Sequence, residues 1–384
     1  MQRRSHKKSR KGCNNCKARR IKCGEEKPRC GNCLDFHAEC IYSCGQAENP
    51  YMRANLQVHN FNLRDLQYFH HFLQAAIPHL PLGSDTLWVE AIPRLAYHRP
   101  YLMHALLGLG AFSLGALFPE HKGYNRDALD HRLYAIRGLN SAISNSCRES
   151  DDSSAILASC YALTFQSIYL ADGMTDFIIF VRGCYLATNT LRGDGQLIAL
   201  PAQHLDIVAP KLGHMLKPNI RELQKGLADL VKISNLLETP FEHEFYSGVK
   251  EVLAGSIESL QLGYVRFVSL YEMWSSRANV EALINPNNTV LQLMLYLYLL
   301  ESLILAPFTP WDFPQGLSTD HRLSSTLKWA DKIWMRLSND SKAYLEWPKS
   351  VYDRLKATRN KVGDSSLLDE LKDIFLAKEL ESNM

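Results

Sequence analysis

The sequence predicts a chain of two unlike parts: a small metal-stabilised module of two short helices, followed by a large all-α domain. Three observations carry this expectation. Six of the ten cysteines fall between residues 13 and 40. The first 45 residues hold 12 Lys and Arg against 4 Asp and Glu, while the rest is mildly acidic, so the overall +3 hides a basic head. From Leu63 onward, apolar residues recur at helical spacing and strand-like alternation is scarce. With 384 residues, 46% of them hydrophobic and 22% charged, the chain has ample material for a core and is neither disordered nor collagen-like.

The amino end comes first. Arg3-Arg4-Ser5-His6-Lys7-Lys8-Ser9-Arg10-Lys11 places six positive charges in nine residues. Residues 1–12 therefore read as a basic arm, suited to non-specific phosphate contacts and to a nuclear-import signal. No apolar run follows Met1–Gly12, so neither a secretory signal nor an oxidising compartment is implied.

Cys13, Cys16, Cys23, Cys30, Cys33 and Cys40 follow C-x2-C-x6-C-x6-C-x2-C-x6-C, the second three repeating the first at an offset of 17 residues. A two-residue gap sets a pair of thiolates on one metal ion at the start of a helical turn, and the third returns from the loop beyond. Three sulfurs are one short of the four that tetrahedral structural zinc takes, so two halves satisfy two zinc ions if two sulfurs are shared. A module this small cannot bury enough apolar surface to fold alone, and metal binding supplies the difference. Sulfur at every ligand position leaves no place for an activated water, which argues against hydrolytic chemistry. A three-disulfide knot would require a secreted chain. A RING-type cross-brace would need eight ligands, and only His37 joins the cysteines inside the cluster.

Over residues 11–42 this spacing resembles the fungal Zn2Cys6 binuclear cluster, a DNA-binding domain, and Lys27-Pro28-Arg29-Cys30 resembles the family's proline turn between halves. The resemblance implies two structural zinc ions bridged by Cys13 and Cys30. One would be held by Cys13, Cys16, Cys23 and Cys30, the other by Cys13, Cys30, Cys33 and Cys40. The first half carries Lys17, Arg19, Arg20 and Lys22, whereas the second carries Leu34, Asp35, Phe36, His37, Ala38 and Glu39. Charge repulsion turns the second half from phosphates, so the first helix faces double-stranded DNA, with only its tip in the major groove. By the resemblance, Arg19 and Arg20 touch the base edges of a CGG-type triplet. Arginine bonds guanine bidentately, worth about 1–3 kcal/mol of discrimination. Lys17 and Lys22 map to phosphate contacts, which position without specifying. The cluster domain is taken as residues 13–43.

Residues 44–61 read as a linker with no sustained coiled-coil repeat, so the protein either binds as a monomer or dimerises through its larger part. Residues 62–384 read as an all-α regulatory domain. Asn62 caps a first helix whose apolar face is Leu63, Leu66, Phe69, Leu73 and Ile77, ended by Pro78. Ser84 or Asp85 caps the next, with Leu87, Trp88, Ile92 and Leu95. Pro100 opens a helix running to Phe118. Further helices are expected over Asn125–Ser144, Ser153–Leu170, Asp176–Leu191, Asn219–Leu237, Phe245–Leu260 and Tyr264–Ser275. The last are Thr289–Leu305, Asp320–Leu337, Pro348–Thr358 and Ser365–Leu380. Val290–Ala306 contains Gln292 and Glu301 and reads as a central buried helix, not a membrane span. Gly108, Gly110 and Gly115 allow close approach by a neighbour or a ligand. The acidic segment from Asp364 reads as the final helix of the fold in preference to an activation segment.

No enzymatic constellation appears: H-E-x-x-H, G-x-S-x-G and G-x-x-x-x-G-K are all missing. Asp151-Asp152 lacks a third acidic partner, and His70-His71 reads as a solvated or core pair. Asp65–His71, Leu87-Trp88, Ile92–Ala96 and Pro100–Leu109 resemble the fungal sterol uptake control proteins. Those are zinc-cluster transcription factors whose helical domain binds ergosterol and represses activation while occupied. The resemblance implies a nuclear regulator that works with the transcription machinery and takes an apolar small-molecule ligand. The same blocks occur in pathway-specific activators of fungal secondary metabolism, which need no such ligand. A third reading is an enzyme or scaffold that uses the cluster only for targeting.

Overall fold

Asn62 opens the helical body as its chemistry dictates. Its side chain accepts from the Arg64 and Asp65 amides, and the Asp65 carboxylate returns to the Asn62 amide at 2.8 Å, closing a capping box over the Leu63–Ala75 helix. The computed structural model describes residues 12–26, 29–36, 38, 40, 61–76, 87–144, 150–191, 217–306, 317–362 and 367–377. The basic arm, the Lys27-Pro28 turn, the linker from 44 to 60, Ile77-Pro78 and the Ser84 or Asp85 cap lie outside the described residues. The chain divides into Met1–Asn60 and Phe61–Met384.

The described residues of the larger unit form helices and the turns between them, with one isolated bridge between Pro218 and Leu376. Its first helix corrects an expectation. Leu63 is 84% exposed and Leu66 60%, and the buried positions are Asp65, Tyr68 and Phe72. Polar pairing decides the rotation: Asp65 lies 3.2 Å from His131 Nε2, and the Tyr68 hydroxyl donates to Asp127 at 2.5 Å. Phe69 and Leu73 still pack at the margin of the core.

The Pro100–Leu117 helix is long and apolar enough to cross a membrane by composition, yet is mostly buried within the body. A Cβ at Gly110 would fall 2.2 Å from the Tyr68 carbonyl oxygen, so glycine lets the first helix lie directly on this one. Gly108 and Gly115 face the side chains of Gln166 and Asn125. All three glycines therefore serve neighbouring protein groups. Lys122–Ser144 and Ser150–Ser167 pack on this helix, and Met174–Leu191 packs on Ser150–Ser167. Arg132, almost wholly buried, ties three of these elements together. It donates to the Leu163 carbonyl, Gln166 and Ser167, and pairs with Asp176 at 2.8 Å. His71 bonds Ser113 at 2.9 Å, and His70 is exposed.

A second core surrounds the Thr289–Ile304 helix, in which every residue from Leu291 to Glu301 is buried. The helices packed on it are Ile220–Ile233, Pro240–Glu258, Leu260–Met273, Leu317–Arg336 and Glu346–Val362, with Leu367–Phe375 closing the side. Two short helices, Arg277–Ile284 and Asn339–Lys342, were not foreseen. Leu367, Leu371, Ile374 and Phe375 are buried, so the acidic segment does supply a last helix of the fold. Asn219 fastens it: its amide donates to the Phe375 carbonyl at 2.7 Å and its side chain to the Ile374 carbonyl at 2.9 Å.

Candidate metal centre and nucleic-acid interface

Each half of the small unit is built alike. Cys13 caps the Asn14–Ala18 helix and Cys30 caps Gly31–Asp35, so Cys16 and Cys33 enter one turn later on the same side. The chain then returns through matching bonds: the Ile21 amide donates to the Cys16 carbonyl, and the Ala38 amide to the Cys33 carbonyl. The 17-residue offset of the sequence is thus an offset of structure.

This construction gathers the sulfurs into two sets of four. Cys13, Cys16, Cys23 and Cys30 form one; Cys13, Cys30, Cys33 and Cys40 form the other. Within each, all four lie within 4.8 Å of one another. The Cys13–Cys30 separation is 3.8 Å, and Cys16–Cys30 and Cys13–Cys33 are 3.6 Å. A tetrahedron with Zn–S near 2.3 Å has edges of about 3.8 Å, so these spacings fit structural zinc. They are far too long for a disulfide, whose sulfurs stand about 2 Å apart, and none of these cysteines is disulfide-bonded.

The electrostatics agree. Burial raises the Cys13 thiol, but the Cys16 amide and neighbouring thiols outweigh it and bring it down to about 6. Burial, followed by bonds to neighbouring cysteines, pushes Cys33 up to about 12 and raises Cys16 as well. Thiols so crowded cannot all ionise without a compensating cation. Backbone amides prepare the sulfurs for charge: Cys13 and Glu25 donate to Cys23, and Cys30 donates to Cys40.

Lys17, Arg19, Arg20 and Lys22 are all exposed. Lys17 lies in the last turn of the first helix and Arg19 closes it. Arg20 follows with φ of 56°, the left-handed conformation where glycine is usual. Asn32 of the second half donates to the Lys22 carbonyl at 2.7 Å, which fixes where the strip ends. One contact escaped the sequence reading. The Arg19 guanidinium carbon lies 4.1 Å from the centre of the Phe36 ring.

The Fungal Zn(2)-Cys(6) binuclear cluster domain matches residues 11–47, and the Fungal specific transcription factor domain matches residues 67–205. The chain is 32% identical over 135 residues to the Zn(2)-C6 fungal-type transcription factor afumD of Aspergillus fumigatus, covering 31% of this chain and 36% of that one. It is 34% identical over 117 residues to sterol uptake control protein 2 of Saccharomyces cerevisiae, covering 30% and 12%. A Zn(2)-C6 fungal-type transcription factor of Gibberella zeae is 61% identical over 41 residues, covering 11% and 8%. The match thus spans little more than a third of the first relative and far less of the others. No solved structure matches. The chain thus carries a fungal Zn(2)-Cys(6) binuclear cluster domain, of the kind that holds structural zinc, followed by a fungal specific transcription factor domain.

Proposed function

We propose that the protein is a nuclear, sequence-specific DNA-binding regulator of transcription and that its chemistry is recognition, not catalysis. Cys13, Cys16, Cys23 and Cys30 would hold one zinc ion, and Cys13, Cys30, Cys33 and Cys40 a second. The ions supply folding energy and compensate the thiolate charge. Arg19 and Arg20 read base edges in the major groove of a CGG-type site, while Lys17 and Lys22 hold phosphates. The observation that carries this reading is the pair of sulfur tetrads beside four exposed cations. Arg20 adds support: a left-handed backbone at a non-glycine residue costs about 1 kcal/mol or more, a cost that a functional side chain explains. The domain boundaries, 13–43 for the cluster and 62–384 for the regulatory body, follow the same reading. Selection of sites from random DNA by the full chain tests it. An enriched GC-rich triplet that vanishes on chelation is the expected result; binding that survives removal of zinc would refute it.

The helical body sets the level of activation. That an apolar ligand does so is supported by the likeness to a sterol uptake control protein over 30% of the chain. The packing favours a ligand-independent activator: the glycines face protein groups, and the Thr289–Ile304 helix is spent on side-chain contacts. A surface hollow of about 250 Å³ is lined by Pro286, Gln292, Ile333 and Arg336 among others. A melting-temperature screen of the full chain with sterols separates the two. A dose-dependent rise supports the ligand, and its absence supports direct activation.

A further inference from the structure

Arg19 and Phe36 occupy equivalent places in the two halves, 17 residues apart, each closing its own short helix. The first half supplies a guanidinium there and the second an aromatic ring, and the two meet at 4.1 Å. Phe36 is 64% exposed, so core packing does not account for it. Arg19 makes no ion pair among the described residues.

The kind of contact matters. A carboxylate partner would occupy the guanidinium N–H edge, which is the edge that guanine needs. An aromatic ring engages the π face and leaves those donors free. It also restrains a side chain that would otherwise lose much rotamer freedom on binding DNA. Arg20 has a left-handed backbone, whereas the Arg19 backbone, with φ of −78°, is ordinary helix. The Phe36 ring is the neighbour in place to restrain the Arg19 side chain.

We propose that Phe36 is a positioning residue for sequence recognition: it holds Arg19 with its hydrogen-bonding edge presented to a base pair. The inference rests on the reading of Arg19 as a base-contacting residue. It gives the second half, acidic and apolar as it is, a share in specificity without a phosphate contact.

The test uses the full chain, zinc-loaded, and compares its selected site with the same site altered at the base pair that Arg19 reads. Phe36→Ala should reduce discrimination between them about two- to five-fold, the scale of an exposed cation–π contact. Zinc content and affinity for random DNA should stay unchanged. Phe36→Tyr should retain discrimination, and Phe36→Leu, which keeps apolar bulk without a π face, should lose it as alanine does. In an Arg19→Ala background, Phe36→Ala should add nothing. If Arg19→Ala abolishes discrimination and Phe36→Ala leaves it intact, the positioning role is overturned while the base-reading assignment stands. If Phe36→Ala weakens binding equally in the Arg19→Ala background, the ring touches DNA itself and the role is again overturned. If Arg19→Ala leaves discrimination untouched, both readings fall.

Discussion

The sulfurs of Cys13 and Cys30 stand 3.8 Å apart and form the edge common to both tetrads. Loss of either therefore removes a corner from both sets, whereas loss of Cys40 removes one from the second set alone. Cys13→Ser and Cys30→Ser should release both zinc ions and abolish specific DNA binding. Cys40→Ser should retain roughly one zinc per chain, because the first set keeps its four sulfurs. Elemental analysis beside protein concentration checks this. Equal zinc loss in all three variants would contradict the shared edge.

The four cations should separate by role. Arg19→Ala and Arg20→Ala should each cost about 1–3 kcal/mol on the selected site and little on random DNA. Lys17→Ala and Lys22→Ala should weaken binding evenly on all sequences and lower the salt slope by about one ion each. Fluorescence anisotropy titrations across a salt series distinguish the classes. Proportional losses on both DNAs from all four would remove the distinction.

Gly110 should be intolerant of a side chain. A methyl group there would meet the Tyr68 carbonyl oxygen at 2.2 Å, so Gly110→Ala should destabilise the body by about 1–3 kcal/mol. Gly123, whose Cβ would find nothing within 4 Å, is the control; its alanine variant should be neutral or slightly stabilising. Urea unfolding followed by far-UV circular dichroism checks the pair.

Glu301 gives the body a pH dependence. It is buried, neither carboxyl oxygen has a hydrogen-bond partner among the described residues, and burial pushes its carboxyl well above the ordinary range. The folded state thus holds a proton that the unfolded state releases. Stability is intact below the ordinary carboxyl range and declines as pH rises toward the folded value. Glu301→Met should raise the melting temperature at neutral pH, by the equivalent of about 1–3 kcal/mol, and progressively less as pH falls to about 4.5. A uniform gain at every pH would mean that the proton held by the buried carboxyl has been misread.

Much of this architecture was legible because local chemistry dictates it. The cysteine spacing specified two helix-start pairs and two returns, and Asn62 announced its cap. Failures came where long-range contacts overrode hydropathy. Leu63 and Leu66 looked like core, but the bonds of Asp65 and Tyr68 turn the helix so that those leucines face outward. Arg132 has the look of a surface charge and is instead a buried tie, because its acceptors come from segments over thirty residues away. The Arg277–Ile284 helix is short, though its Ser276 cap was a usable signal. Phe36 was passed over because its half is repelled by phosphate, a reason that says nothing about stacking on an arginine.

The bonds that join Asn219 to Ile374 and Phe375, together with the Ala377 amide on the Lys217 carbonyl, sew the late end of the chain to its middle. During synthesis the cysteine-rich head emerges first, while the larger core stays unsealed until residues near 377 have cleared the ribosome. A message cut short upstream of that seam would deliver the cysteine-rich head on an unfinished body, whose exposed core would mark the product for degradation.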